Sequence, residues 1–259
     1  MMRAILVALA ILLVTPPIGL TVIIAGLLGA PDGPNSIYQW GIRSWARIIC
    51  RAAGAKIVLH NTERILDGPT VYVANHVSWF DVFALGAVLP RVTFVAKKEL
   101  EKLPIFGQAC RAAGIVFIER GNRRAAFDTY KTAADKVREG RSVVVCPEGT
   151  RGRDYHLRPF KKGPFVFAIS TGAPIVPTVI HGTIGIQPKG SFRVRSGTID
   201  IHFLEPVATA GYSYEQRAEL MEVVWQRMAA ELSSRYGIHT SEHPVARESD
   251  RPEKETSFL

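Results

Sequence analysis

Residues 70–88, TVYVANHVSWFDVFALGAV, decide the fold class because they combine a strand, a turn and a helix start in one short stretch. The mostly apolar run that ends near Asn75 predicts a buried strand. Ser78, followed three positions later by Asp81, forms a capping box and predicts a helix over residues 79–89. A strand that leads directly into a helix is the building unit of α/β folds.

The same alternation of short β-rich runs and helical stretches continues along the rest of the chain. The predicted strands are residues 56–60, 70–75, 92–97, 114–119, 142–147, 174–180 and 198–207. The predicted helices are residues 79–89, 100–113, 122–139, 163–171 and 213–235. Several of the strands are apolar throughout, which is typical of strands buried on both faces. The sequence therefore predicts an α/β fold with a mixed, mainly parallel sheet covered by helices.

The amino-terminal segment predicts a membrane anchor. Residues 4–30 carry no charged side chain and are long enough to cross a bilayer as a helix. Because Pro16 and Pro17 fall in the middle, we expect one kinked span or a re-entrant pair of half-helices. A secretory signal is the alternative, but the single arginine before the apolar stretch, the excessive length of that stretch and Pro31 disfavour it.

Residues 34–53 continue the membrane pattern. Arg43, Arg47 and Arg51 recur every four positions and so share one helix face, opposite aromatic and apolar residues. This pattern is typical of an interfacial helix on anionic lipid, although an ordinary amphipathic surface helix also fits. The predicted divisions are membrane and interfacial helices over 1–55, an α/β domain over 56–238, and a disordered polar tail over 239–259.

The chain is basic, with a formal net charge of +9 and a sequence pI of about 9.7. Nucleic acid, an anionic membrane surface and a phosphorylated substrate are all compatible with this charge. Nucleic acid is disfavoured because the aromatic residues do not interleave with the basic ones in a recognisable motif. Three widely spaced cysteines argue against a disulfide framework or a zinc site and favour a reducing environment on the cytoplasmic side.

His76 and Asp81 form a candidate catalytic pair. On one continuous helix, five positions would rotate the two side chains apart by roughly 140°. The capping box starts the helix after His76, so the histidine lies on the turn and the aspartate can reach back to its ring. A carboxylate on one ring nitrogen leaves the other as a general base near neutral pH. The alternative is that Asp81 is only a helix cap, since the bare His-x4-Asp pattern is common.

A second polar stretch, CPEGTR at residues 146–151, follows a predicted buried strand. Gly149 permits backbone conformations that turn amides towards a ligand. Arg151 offers a planar guanidinium suited to phosphate. A plain surface salt bridge between Glu148 and Arg151 is the competing interpretation.

Two further stretches end or interrupt strands. GIVFIER at 114–120 brings Arg120 to a strand end, where it is either a phosphate ligand or a solvated surface residue. IVPTVI at 175–180 contains Pro177, which predicts an edge strand or a bulge because proline donates no ladder hydrogen bond.

In this order, the four stretches resemble the signature blocks of the glycerolipid acyltransferase superfamily, specifically its bacterial 1-acylglycerol-3-phosphate acyltransferases. The matching residues are Asn75, His76 and Asp81 in the first block; Gly114, Phe117, Ile118 and Arg120 in the second; Pro147, Glu148, Gly149, Thr150 and Arg151 in the third; and Val176 and Pro177 in the fourth. Cys146 departs from the pattern, which usually has phenylalanine there. The resemblance extends over about residues 70 to 180 and includes Lys97 in the AKKEL stretch at 96–100.

The resemblance implies a membrane-associated enzyme that moves an acyl group from an acyl thioester, either acyl-CoA or acyl carrier protein, to the 2-hydroxyl of 1-acylglycerol-3-phosphate, giving phosphatidic acid. His76 would be the general base, oriented by Asp81. The substrate-binding residues implied by the resemblance are Lys97, Arg120, Glu148, Gly149, Thr150 and Arg151. We expect no cofactor and no metal, and a lysophospholipid acceptor, the acyl donor and an anionic membrane as partners. The expected location is the inner membrane, with the catalytic domain on its cytoplasmic side.

Three other functions remain open at this point. Acyl transfer to another lyso-lipid, such as lyso-ornithine lipid, would use the same chemistry with less need for Arg120 and Arg151. A membrane-bound hydrolase would use His76 and Asp81 on water, without thioester dependence. A non-catalytic lipid-binding or nucleic-acid-binding protein is favoured only by the high pI.

Overall fold

The computed structural model describes residues 1–119 and 123–240, and side chains between 123 and 138 from Thr129 onward. Within this part of the chain, the strands are β1 Ala55–His60, β2 Val71–Ala74, β3 Val92–Lys97, β4 Val116–Ile118, β5 Ser142–Val145, β6 Ile175–His181 and β7 Gly197–Phe203. They form one sheet in the order β1-β7-β6-β2-β5-β3-β4. Neighbouring strands are parallel except β6 and β7, which are antiparallel. The predicted mixed, mainly parallel sheet is confirmed.

Helices cover both faces of the sheet. They are α1 Met2–Leu27, α2 Ile37–Ala53, α3 Trp79–Val88, α4 Phe106–Ala112, α5 Arg123–Arg138, α6 Gly163–Thr171, α7 Thr183–Ile186 and α8 Arg217–Tyr236. Strand β2 shows how the core is divided: Val71 and Val73 pack with α5, α6 and α8, whereas Tyr72 and Ala74 pack with α2 and α3. Both faces of the strand are therefore apolar, as its sequence requires.

Helix α1 is continuous through Pro16 and Pro17, so of the two expected forms the single span is present and the pair of half-helices is not. The fixed φ of proline is compatible with a helix, and each ring removes one backbone donor. Helix α2 packs against α1 beside the two prolines, where the Trp45 indole donates to the Thr15 hydroxyl at 2.9 Å. Helix α1 is long and apolar enough to cross a membrane, and only 17% of its most apolar window is buried. This helix is a candidate membrane anchor.

Two other expectations differ from the structure. The helix predicted over 100–113 is split into a 3-10 turn, Lys98–Lys102, and α4. The break follows from Pro104, which lacks a backbone donor. Pro177 does not mark an edge or a bulge, because β6 lies between β7 and β2. The β7 ladder starts one residue later, at Thr178.

The described residues after α8, 237–240, remain close to the protein body. His239 and Thr240 still contact it, through hydrogen bonds with Ser233 and with the backbone N–H of Leu157. The remainder of the predicted tail, 241–259, lies outside the described residues.

Candidate active site

Strands β2, β5 and β6 run parallel, which brings their carboxyl ends to one edge of the sheet, where ligand sites of α/β folds form. The turn after β2 is fixed by Asn75. Its side-chain amide donates to the Ile180 carbonyl at 3.0 Å and its oxygen accepts from the Ile180 N–H at 2.8 Å. Asn75 therefore continues the pairing of β2 with β6 by one more residue, and His76 begins the turn from a rigid base.

His76 and Asp81 are in direct contact. His76 Nδ1 lies 2.9 Å from Asp81 Oδ2, and the carboxylate is 1% exposed. The same oxygen accepts the backbone N–H groups of Val77 and Ser78 at 2.7 and 2.8 Å. The capping box is present as well, so the helix cap and the His–Asp pair are two functions of one carboxylate. Nε2 is left as the ring nitrogen available to a substrate.

Thr183 is a site residue that the sequence reasoning missed. It is the first residue of α7, fully buried, and its hydroxyl donates to Asp81 Oδ1 at 2.6 Å. Asp81 therefore accepts hydrogen bonds at both oxygens and is held in one orientation against the imidazole. No local pattern signals this contact, because the two residues are 102 positions apart.

Glu148 contacts the His76 turn through the backbone. Its Oε1 accepts the His76 N–H at 3.0 Å, and its Oε2 accepts from Arg158 Nε at 3.1 Å. Gly152 donates its N–H to the His76 carbonyl at 2.7 Å. The loop after β5 thus clamps the backbone of His76 from both sides. The alternative interpretation was a surface salt bridge between Glu148 and Arg151. In the structure Glu148 instead pairs with Arg158, a residue that the sequence reasoning missed.

The environment of Glu148 shifts its ionisation. Burial raises the pKa of Glu148 to about 7, and the hydrogen bonds from the His76 N–H and from Arg158 oppose this rise. At neutral pH this carboxyl therefore titrates next to the His76 turn.

The remaining residues of the third block form the outer part of the loop. Gly149 has a φ of +75°, which only glycine adopts without strain. The Arg151 guanidinium lies over the Trp79 ring, 4.7 Å from its centroid. Thr150 is exposed and its carbonyl accepts a hydrogen bond from Arg158. Arg151 and Trp79 therefore lie together at the rim of the His76 turn.

Lys97 and Arg120 complete the predicted set. Lys97 ends β3, is 50% exposed and forms an ion pair with Glu99 at 2.9 Å. Arg120 lies outside the described residues, so its predicted role stays a prediction.

A separate cluster contains metal-ligand side chains: His60, Asp200 and His202, with ligand atoms within 4.8 Å of one another among the described residues. The imidazole rings of His60 and His202 are stacked: their centroids are 4.1 Å apart, and the angle between the ring planes is 5°. An ion in the plane of one ring then lies out of the plane of the other. The arrangement fits a hydrogen-bonded ring stack, with His60 Nε2 at 2.8 Å from Asp200, better than a coordination shell.

Comparison with known proteins identifies the family. Residues 56–181 match the family described as Acyltransferase. The 1-acyl-sn-glycerol-3-phosphate acyltransferase of Saccharomyces cerevisiae is 31% identical over 238 residues, which cover 89% of this chain and 77% of the yeast protein. This chain belongs to that acyltransferase family. The family resemblance drawn from the four sequence blocks is confirmed.

Other acyltransferases differ more in length. The chloroplastic 1-acyl-sn-glycerol-3-phosphate acyltransferase BAT2 of Brassica napus is 35% identical over 156 residues, which cover 60% of this chain but only 44% of the plant protein. The crystal structure of the 1-acyl-sn-glycerophosphate (LPA) acyltransferase PlsC from Thermotoga maritima matches with a TM-score of 0.74 and 26% identity. That match covers 90% of this chain and 96% of the Thermotoga chain, so the two acyltransferases share nearly their whole architecture.

Proposed function

We propose that this acyltransferase moves a fatty acyl group from an acyl thioester to the 2-hydroxyl of 1-acylglycerol-3-phosphate. The observation that carries the proposal is the buried contact of 2.9 Å between His76 Nδ1 and Asp81 on the turn after β2. Family membership supports the acyl-transfer chemistry and the choice of acceptor. The donor is acyl-CoA or acyl carrier protein, and both leave as thiols.

In the proposed reaction, His76 Nε2 removes the proton from the acceptor hydroxyl as the oxygen attacks the thioester carbonyl carbon. The carbon–sulfur bond then breaks, and the imidazolium returns the proton to the leaving thiolate. Asp81 holds the ring and stabilises the imidazolium charge. No nucleophilic side chain is needed, because the substrate supplies the attacking oxygen.

The acceptor phosphate would bind at the rim of the turn. Arg151 supports this assignment, since its guanidinium lies at the rim over Trp79 and can form charge-assisted hydrogen bonds with a phosphate. We propose that Lys97, Arg120, Gly149 and Thr150 contribute to the same site. Glu148 would act indirectly, because its two oxygens are occupied by the His76 N–H and by Arg158.

The enzyme would act at the cytoplasmic face of the inner membrane, with residues 1–55 as the membrane part and 56–238 as the catalytic domain. Helix α1 supports this placement through its exposed apolar side chains: Ile5, Leu6, Leu9, Leu12, Leu13, Leu20 and Ile24. In α2, Arg47 and Arg51 are exposed and Arg43 is partly buried, and Arg47 also donates Nε to the Ala87 carbonyl at 2.9 Å. Of the basic face, Arg51 is thus the better candidate for contact with anionic lipid.

A donor-by-acceptor activity matrix on the purified full chain in detergent tests the proposal. The donors are acyl-CoA and acyl carrier protein thioesters, and the acceptors are 1-acylglycerol-3-phosphate, lyso-ornithine lipid and water. We expect thiol release only with a thioester and 1-acylglycerol-3-phosphate, and its loss in His76→Ala. Transfer that prefers lyso-ornithine lipid, or thiol release without any lipid acceptor, would overturn the proposed acceptor. Full activity in His76→Ala would overturn the proposed base.

A further inference from the structure

The connection between α7 and β7, residues 187–196, is a basic surface loop that the proposed mechanism does not use. We call residues 187–196 the basic loop. It contains Lys189, Arg193 and Arg195 and no acidic residue. Between these cations, Phe192 is 93% exposed, the most exposed aromatic among the large hydrophobic side chains of the described residues. An exposed aromatic between a lysine and two arginines is typical of a segment that enters a lipid–water interface.

Hydrogen bonds and one buried side chain fix the backbone of the basic loop. The Arg195 N–H donates to the Ile186 carbonyl at 2.9 Å, and the Gln187 side-chain amide donates to the Ser191 carbonyl at 3.1 Å. Val194 is buried in the core that contains α2 and α3. Phe192 is therefore presented to the outside by a fixed backbone, and little ordering entropy is lost when it binds.

The basic loop also contacts the catalytic turn directly. The Ser78 hydroxyl donates to the Gln187 carbonyl at 2.8 Å. Lys189 Nζ donates to the Arg151 carbonyl at 2.7 Å. A surface that receives this loop would therefore lie beside the turn that carries His76.

The carboxyl end of the basic loop adjoins the start of the candidate membrane anchor. The Gly197 N–H approaches the Gly54 carbonyl at 3.4 Å, and Arg3 of α1 donates to the neighbouring Ala53 carbonyl at 3.2 Å. In the first two turns of α1, the apolar side chains of Met2 and Ile5 are exposed. The basic loop and the anchor thus meet at one corner of the molecule.

We propose that the basic loop is a second bilayer contact, in which Phe192 enters the boundary between headgroups and acyl chains while Arg193 and Arg195 bind the phosphates of anionic lipids. This contact sets the catalytic turn against the membrane surface, where an insoluble lysolipid reaches it without leaving the bilayer. The inference rests on the proposed function only in that the acceptor is a membrane lipid. The exposed apolar ring favours a bilayer over a soluble anion as the occupant.

The test compares vesicle flotation and activity for the full chain and its variants. Phe192→Ser removes the apolar contact, and Tyr214→Ser is its control, because Tyr214 is 56% exposed and lies outside the loop. R193E/R195E reverses the loop charges, and K131E/R138E makes the same charge change on exposed positions of α5. One set of vesicles contains phosphatidylcholine alone, and a second set contains phosphatidylcholine with added phosphatidylglycerol. Activity is also measured on lysolipid in detergent micelles.

We expect Phe192→Ser and R193E/R195E to weaken binding to anionic vesicles and activity on them, with about a five-fold loss of binding for each arginine removed. The double variant should change little on phosphatidylcholine, and both loop variants should keep wild-type activity in micelles. Wild-type vesicle binding and activity in both loop variants would overturn the proposal, and so would equal losses in the controls. Lost activity with acyl carrier protein alone, at unchanged vesicle binding, would assign the loop to the acidic donor instead. If the enzyme transferred no acyl group in micelles, the proposed function would fail, while flotation would still decide the loop.

Discussion

Replacing Thr183 by valine removes one oxygen atom from behind the catalytic pair at nearly constant volume. Its hydroxyl donates to Asp81 Oδ1 at 2.6 Å in a fully buried position. Hydrogen bonds to charged groups contribute about 1.5–3 kcal/mol, so the loss predicts a decrease in kcat of about ten- to a hundred-fold. The Michaelis constants should change little, because Thr183 contacts the carboxylate and not the proposed phosphate site.

The assay is thiol release from the acyl thioester by purified protein in detergent, with melting temperature as a parallel measurement. Thr178→Val is the matched control, since Thr178 is also fully buried on β6 but donates to the Val176 carbonyl. Thr183→Ser should restore most of the activity because it keeps the donor. Unchanged kcat in Thr183→Val, or the same loss in Thr178→Val, would refute the argument that this hydroxyl orients Asp81.

Three further predictions concern the phosphate site, the buried carboxyl and the membrane. Arg151→Ala should raise KM for the lysolipid about ten- to a hundred-fold and leave KM for the donor nearly unchanged in steady-state kinetics; equal effects on both would indicate a structural role. The pKa of Glu148 rises from 4.5 to about 7 on folding, because burial disfavours the ionised carboxylate. The contribution of Glu148 to the free energy of unfolding therefore falls by about 3 kcal/mol as the pH rises from 4.5 to about 7. Urea unfolding of Glu148→Gln should lose this part of the pH dependence, and an unchanged slope would contradict it. Replacing Arg51, which is exposed, by glutamate should reduce activity on anionic vesicles more than in micelles, and a similar loss in both would argue against a lipid contact.

The fold was predictable where a single stretch carries its own signal. The strands are short apolar runs, and Ser78 with Asp81 marks the start of α3 by a local capping pattern. The break between the 3-10 turn and α4 was less evident, because Pro104 lies inside a stretch that otherwise has helical character. Helix α1 runs through Pro16 and Pro17 and packs against α2, through contacts such as that of Trp45 with Thr15. Such contacts leave no trace in the local sequence.

In the candidate site, too, contacts between residues close in sequence were predictable, and contacts between distant residues were not. His76 and Asp81 lie five positions apart, so a turn suffices to join them, and the sequence predicts the pair. Thr183 and Arg158 reach the site only because β6 and the loop after β5 end at the same sheet edge as β2. The alternative of a Glu148–Arg151 pair accordingly does not form: Arg151 is nearer in sequence, but the Glu148 carboxylate pairs with Arg158.

The most direct test of the central claim is kcat for Asp81→Asn, measured together with its melting temperature. An asparagine oxygen placed at the Oδ2 position still accepts from the ring Nδ1 of His76 and from the backbone N–H groups of Val77 and Ser78. The Thr183 hydroxyl, which donates to Oδ1 in the wild type, accepts from the amide instead, so the helix cap survives while the charge behind the imidazole is lost. The account predicts a fall in kcat of about 10²- to 10⁴-fold with a melting temperature close to that of the wild type. Full activity with a lowered melting temperature would show that Asp81 is only a helix cap and would contradict the proposed His–Asp base.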